Sequence, residues 1–187
     1  AEEGAPLGEK GGAKFMVEEG VMNNPKVDAI FGLHAWPGKV GTVEYRSGPT
    51  MAAAERMRIT VTGSQTHGAV PWKGVDPIAI SSQIITALQT IVAREVNITQ
   101  VPAVVTIGSI HGGVRNNIIP EEVVMEGTIR TFNDEVRKDI HDSIRKKAEM
   151  IASASGATAK VEIFSDIAKV TFNAVSYTHL RAHETLT

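Results

Sequence analysis

The chain has 187 residues, 42% hydrophobic and 21% charged, with a net charge of −2 and no cysteine. That composition fits one ordinary globular domain or two small ones. It removes disulfide and thiolate chemistry, argues against a nucleic-acid surface, and contains no apolar run near the ~20 residues of a membrane span.

Residues 1–50 read as part of an α/β layer. Glu2 and Glu3 precede a glycine-rich stretch, Gly8 to Gly12. Ala13 to Glu19 is predicted as a short helix, with Gly20 as its stop. Asn23-Asn24-Pro25 is a turn. Ala29 to Leu33 is an apolar run short enough for a buried strand, ending on His34. Ala35-Trp36-Pro37-Gly38 turns the chain, and Val40 to Arg46 is predicted as another strand closed by Ser47-Gly48-Pro49. Strand, helix and strand with short loops is α/β grammar.

The stretch that follows has a cleaner rhythm. Glu55–Thr62 alternates, with Met57, Ile59 and Val61 inward and Arg56, Arg58 and Thr60 outward. Gly63-Ser64-Gln65-Thr66-His67-Gly68-Ala69-Val70-Pro71 makes a corner at the mouth of the sheet. A helix over Pro77–Glu95 has Asp76 as N-cap, Pro77 at its first position, and an apolar face of Ile80, Ile84, Leu88 and Ile91. A strand over Ala103–Ile110, a Gly112-Gly113 turn and a strand over Val123–Phe132 come next. Asn133 or Asp134 caps a second helix with the stripe Val136, Ile140, Ile144, Ala148 and Ile151, stopped by Gly156. Ala159, Val161 and Ile163 alternate in the last strand. The order is β-α-β-β-α-β, an antiparallel sheet with both helices on one face.

Several side chains are candidates for chemistry. Neighbouring residues on an extended segment point opposite ways, so Glu2 and Glu3 would differ in role, one ligating a cation and the other reaching a water or substrate. Zn²⁺ and Mn²⁺ accept carboxylate and imidazole together, and His34 is a second ligand candidate on the same sheet edge. The plain alternative is a solvated Glu pair and a structural His. His67 can exchange a proton where glycines admit a substrate, or it is a turn His bonded to its own loop. Asn117 either caps a turn or contacts a substrate amide. Arg130 clamps a carboxylate or forms a surface salt bridge. His111 reads as a loop residue, and Trp36 and Trp72 either line a cleft or plug corners. His179 and His183 have i, i+4 spacing, but no apolar periodicity or cap supports a helix there.

Five strings in register resemble the M20 metallopeptidase family, closest to its amidohydrolase branch of N-acyl-amino-acid amidohydrolases, hippurate hydrolases and auxin-conjugate hydrolases. They are Ala1-Glu2-Glu3-Gly4, Gly32-Leu33-His34-Ala35-Trp36-Pro37, Gly63 to Pro71 with Asp76-Pro77, Asn117-Ile118-Ile119-Pro120, and Gly127-Thr128-Ile129-Arg130-Thr131. The resemblance implies part of a metallopeptidase catalytic domain over residues 1–50 and an α+β ferredoxin-like lid and dimerisation domain over 51–166. Residues 167–187 would be a truncated return to the catalytic domain followed by a tail foreign to the family. It implies hydrolysis of N-acyl amino acids or similar small amides with two divalent metal ions, Zn or Mn, in a cytoplasmic homodimer formed through 51–166, with no nucleic-acid or membrane partner. Glu2 would be the general base, and Glu3 and His34 metal ligands. His67 would reach a neighbouring subunit's active site and stabilise the oxyanion, with Asn117 beside it, and Arg130 would hold the substrate carboxylate. The family carries further ligands upstream of Glu2, a Cys and a His in this branch, and a final His downstream. The chain, opening on Ala1 without a Met, is therefore expected to be an internal fragment, inactive alone. A dipeptidase or aminopeptidase of the same family, or a non-catalytic dimerisation or small-molecule-binding module, are the alternatives.

Overall fold

The computed structural model describes residues 12–28, 30, 35, 37–44, 48–167 and 170–172. The chain divides into two compact units, Ala1–Arg46 and Ser47–Thr187.

In the first unit, helix α1 spans Gly12–Glu18. The amide of Val21 bonds the carbonyl of Met16 and that of Gly20 bonds Val17, which closes the helix end as expected. The predicted strand over Val40–Arg46 is not formed across its described residues. Val40 and Gly41 are a turn and Thr42–Glu44 have no regular structure. The Lys39 carbonyl accepts both the Thr42 amide at 3.3 Å and its hydroxyl at 2.6 Å, so the backbone bonds locally instead of in a ladder. Most of the predicted strand over 29–33, together with His34 and Trp36, lies outside the described residues.

The second unit is built on one sheet. Strand β1 (Gly48–Met51) opens it, and β2 (Ala53–Thr62) follows. A two-residue β3 (Thr66–His67), α2 (Pro77–Thr90), β4 (Ala103–Gly112) and a two-residue β5 (Ile118–Ile119) come next. Then follow β6 (Glu122–Thr131), α3 (Asp134–Ala154), β7 (Thr158–Ile167) and β8 (Val170–Phe172). The main sheet has the order β4-β6-β2-β7 with every neighbouring pair antiparallel. β2 and β6 pair from Ala53↔Thr131 to Thr62↔Glu122 without a slip, while β4 bulges between Ile107 and Ser109. The alternation of β2 is complete: Met57, Ile59 and Val61 are buried and Arg56, Arg58 and Thr60 half-buried on the other side. β1 and β8 pair with each other in a separate two-stranded ribbon.

Both helices lie on the buried side. Asp76 Oδ1 accepts the amides of Ile78 and Ala79 at the start of α2, and Asn133 Oδ1 those of Glu135 and Val136 at the start of α3. Ile80, Ile84 and Leu88 of α2 and Ile140, Ile144 and Ala148 of α3 meet Met57, Ile59, Met125 and Ile129 of the sheet in one core. The predicted helix to Glu95 does reach that residue, but its last turn, Ile91–Glu95, widens to π geometry. That keeps Ile91 in the core and directs Glu95 to Lys147 and Ser143 of α3. Ala157 N to Ala152 O and Gly156 N to Ser153 O, with Gly156 at φ +75°, end α3 in the motif that ends α1.

One polar pair enters this core. Glu55 shares the inward parity of Met57, is 1% exposed, and meets His141 Nε2 of α3 at 2.7 Å. Among the described residues no helix is long and apolar enough to cross a membrane.

Candidate functional site

The corner after β2 is a closed loop. Ser64 and Val75 exchange two backbone hydrogen bonds, 2.9 and 3.0 Å, at its base. Glycine is required on both sides of that contact. A Cβ on Gly63 would stand 2.2 Å from the Val75 carbonyl oxygen, and one on Gly74 2.5 Å from that of Ser64. Inside the loop, Thr66 and His67 pair with Ile119 and Ile118. The Gly68 amide then bonds the Asn117 carbonyl at 2.7 Å. A turn of 3₁₀ helix, Pro71–Lys73, returns the chain to Val75.

This arrangement brings His67 and Asn117 together, two of the residues singled out in the sequence, from loops 50 positions apart in the chain. Both are exposed. The amide of Ala69 donates to His67 Nδ1 at 3.1 Å. An imidazole that accepts at Nδ1 carries its proton on Nε2, so the outward nitrogen is a donor. The turn-bonded reading of His67 is met, and that bond leaves Nε2 as the nitrogen with a proton to give.

Gln65 lies two residues before His67 on a short extended segment, and Pro120 two after Ile118, so these four share one face of the small ladder. An open groove lined by Gln65, Arg115, Ile118, Pro120, Glu121 and Glu122 lies on that face.

Arg130 stands elsewhere. It faces Ala54 on β2 and Val104 on β4. Its Nη1 donates to the Thr128 hydroxyl and, at 3.1 Å, to the Ile129 carbonyl. Among the described residues no carboxylate pairs with it, so the salt-bridge reading is not met there. Ala54 and Thr62 are eight positions apart on β2, about 27 Å along the strand, so Arg130 lies at the end of the sheet away from the corner that follows Thr62.

Glu2, Glu3 and His34 lie outside the described residues. Among the described residues no group of three or more His, Cys, Asp and Glu could hold a metal ion. His111, read from the sequence as a loop residue, is in β4 opposite Val124, because the strand runs on to Gly112. The β3–β5 ladder was not anticipated. The β-branched pair Ile118-Ile119, between an Asn and a Pro, was its signal.

Comparison with known proteins fits this architecture. The family model described as the peptidase dimerisation domain matches residues 54–155. N-acetyl-L-cysteine deacetylase of Bacillus subtilis is 43% identical over 152 residues, 81% of this chain and 36% of that protein. Thermostable carboxypeptidase 2 of Saccharolobus solfataricus is 40% identical over 166 residues, 87% of this chain and 41% of that protein. Among solved structures, a Bacillus subtilis protein described as a dinuclear metal binding peptidase from the M20 family superposes with a TM-score of 0.69 at 34% identity, covering 91% of this chain and 43% of that one. The chain thus spans well under half the length of these relatives. It belongs to the M20 peptidase family, and residues 54–155 are the family's dimerisation domain.

Proposed function

We propose that the protein to which this chain belongs hydrolyses the amide bond of N-acyl amino acids or similar small amides. In this reading residues 1–50 belong to its catalytic domain, residues 51–166 are a ferredoxin-like lid that pairs with a second copy, and the chain from 167 onward turns back toward the catalytic domain. The observation that carries the reading is the His67–Asn117 corner, a fixed donor on the surface of a domain that offers it no nucleophile and no metal ligand set among the described residues. A donor so placed serves a substrate held by another body.

Glu3 and His34 would supply two of the ligands of the metal pair, and a carboxylate with an imidazole is a donor combination that Zn²⁺ and Mn²⁺ both accept. The chemistry such a pair supplies when bound is water activation and carbonyl polarisation. Glu2 takes the proton of the attacking water and delivers it to the leaving amine. His67 Nε2–H donates to the oxyanion that develops on the carbonyl, with the Asn117 side chain beside it. Arg130 holds the substrate carboxylate. Arg130 and the His67 corner lie at opposite ends of a strand of about 27 Å, too far apart for one small amide to touch both within one lid. The two residues therefore serve different active sites, each completed by the other copy.

The outer face of α2 supports pairing of lids. Ser82, Thr86 and Thr90 turn their hydroxyls onto carbonyls of their own helix, at 2.7 to 2.9 Å. Such groups can leave water without losing a partner.

The test is complementation in the full-length protein. His67→Ala and Glu2→Ala should each abolish turnover of N-acetyl amino acids and hippurate with metal content retained in His67→Ala. Mixed and re-associated, they should regain activity at about a quarter of the sites, since half the dimers are mixed and each has one intact site. Heterodimers without activity would overturn the composite site. The likeness to a carboxypeptidase favours a second reading, peptide hydrolysis, and turnover of dipeptides in preference to N-acetyl amino acids would establish it.

A further inference from the structure

Two exposed apolar side chains stand on the two loops that carry His67 and Asn117. Trp72 stands five residues after His67 and is 76% exposed; Val114 stands three residues before Asn117 and is 99% exposed. Neither lies on a loose tether. Trp72 is in the 3₁₀ turn, where the Lys73 and Gly74 amides bond the Val70 and Pro71 carbonyls, inside the loop closed by Ser64 and Val75. The loop of Val114 is fixed at one end by β4 and at the other by the β3–β5 ladder and the Gly68–Asn117 bond. Ile78, itself 45% exposed at the start of α2, reaches to within 3.9 Å of the Cβ position of Gly113, next to Val114.

An indole of about 150–250 Å² held in water on a pinned turn gains nothing for the fold. On an interface the same feature is an anchor, because the backbone that carries it is already ordered and Trp is enriched at interface hot spots. We infer that Trp72 and Val114 are paired apolar anchors that seat the His67–Asn117 corner on a second copy of this protein. The inference rests on the reading in which His67 acts across a dimer. A second copy is the occupant because both anchors fall within the dimerisation domain, residues 54–155, on the two loops that carry His67 and Asn117. Trp72 is then a positioning residue: it does not touch substrate, but sets how closely Nε2–H approaches it.

Hydroxyl-radical footprinting of the full-length protein tests the docking, and does so without reference to catalysis. Trp72 should be oxidised at least about tenfold more slowly in the dimer than in monomer obtained by dilution. Equal oxidation in the two states overturns the inference. Protection in the monomer as well also overturns it, since the occupant is then the protein's own catalytic half. Kinetics supply the second arm. Trp72→Lys should lower kcat at least about tenfold with little change in KM, Trp72→Phe should restore most of it, and Ile98→Ala, 56% exposed elsewhere on the lid, should do nothing. A Trp72→Lys enzyme with wild-type kcat refutes the anchor. If complementation between His67→Ala and Glu2→Ala succeeds while Trp72 stays solvated in the dimer, only the anchor falls; if complementation fails, the reading beneath it falls.

Discussion

Helices α2 and α3 pack side by side on one sheet, yet they are written in different chemistry. Their inner faces match: each gives a stripe of Ile, Leu or Ala to the same core. Their outer faces do not. From Pro77 to Thr90, α2 has no charged residue, and its hydroxyls are turned back on its own carbonyls. α3 opens with Asp134 and Glu135 and carries the i, i+3 pairs Asp134–Arg137 and Asp142–Arg145. Charged side chains hydrate well and are costly to bury. The outer face of α3 is therefore charged and suited to water, and that of α2 is uncharged with its hydroxyls already bonded, although both satisfy the fold equally.

The largest expected effect tests the sameness of the inner faces. Ile84→Ala and Ile144→Ala, both at 0% exposure, should each cost about 2–5 kcal/mol in urea denaturation of this chain. A loss confined to one helix would show that the core is not shared. Next, a charge on the outer face should separate the helices. Gln83→Lys on α2 should weaken dimerisation at least about tenfold by sedimentation, while Lys138→Gln on α3 leaves it alone. The reverse pattern would assign the contact to α3. Third, Ser81 is buried on α2 and its hydroxyl has no hydrogen-bond partner. Ser81→Ala should be neutral or raise stability by up to about 1 kcal/mol, because an unsatisfied buried hydroxyl is removed. A clear loss would mean that the hydroxyl is bonded through a water.

The smallest effect lies where the helices are tied. Lys147 and Ser143 bond the Glu95 carboxylate and hold its pKa below the ordinary 4.5. A depressed carboxylate stabilises the fold above its unfolded pKa and loses that contribution as pH falls through the folded one. The tie should therefore be present at pH 7 and fade below about pH 4.5. Glu95 is 38% exposed, so solvent screening leaves only a few tenths of a kcal/mol. Glu95→Gln should lower the melting temperature slightly at pH 7 and not at all at pH 3. An equal effect at both pH values would show that charge is not involved.

Much of this was legible in the sequence because the signals were local. The parity of Met57, Ile59 and Val61 placed the inner face of β2, and Asp76-Pro77 and Asn133 placed two helix starts within a residue. What failed was non-local. The partner of β1 is β8, beyond the whole sheet, and nothing in Gly48-Pro49-Thr50 announces it. Val40–Glu44 has strand-like composition but no described partner, and a turn at Lys39 wins. The parity of Glu55 was readable, but not that His141 would meet it. At the site, the resemblance set Asn117 beside His67, but nothing in the two motifs themselves announces the β3–β5 ladder and the Gly68–Asn117 bond that join their loops.

The pair of backbone hydrogen bonds between Ser64 and Val75 makes the loop that carries His67 a cassette. Its two ends are held at strand-pair distance by backbone atoms alone, so the sheet registers only that the loop begins and ends there. Changes confined to Ala69–Lys73, between the β3–β5 ladder and Gly74, should cost β2 and α2 little, since closing a slightly longer loop adds only a slowly growing entropy cost. Such a site can diversify its reach toward a partner while the scaffold beneath it stays the same.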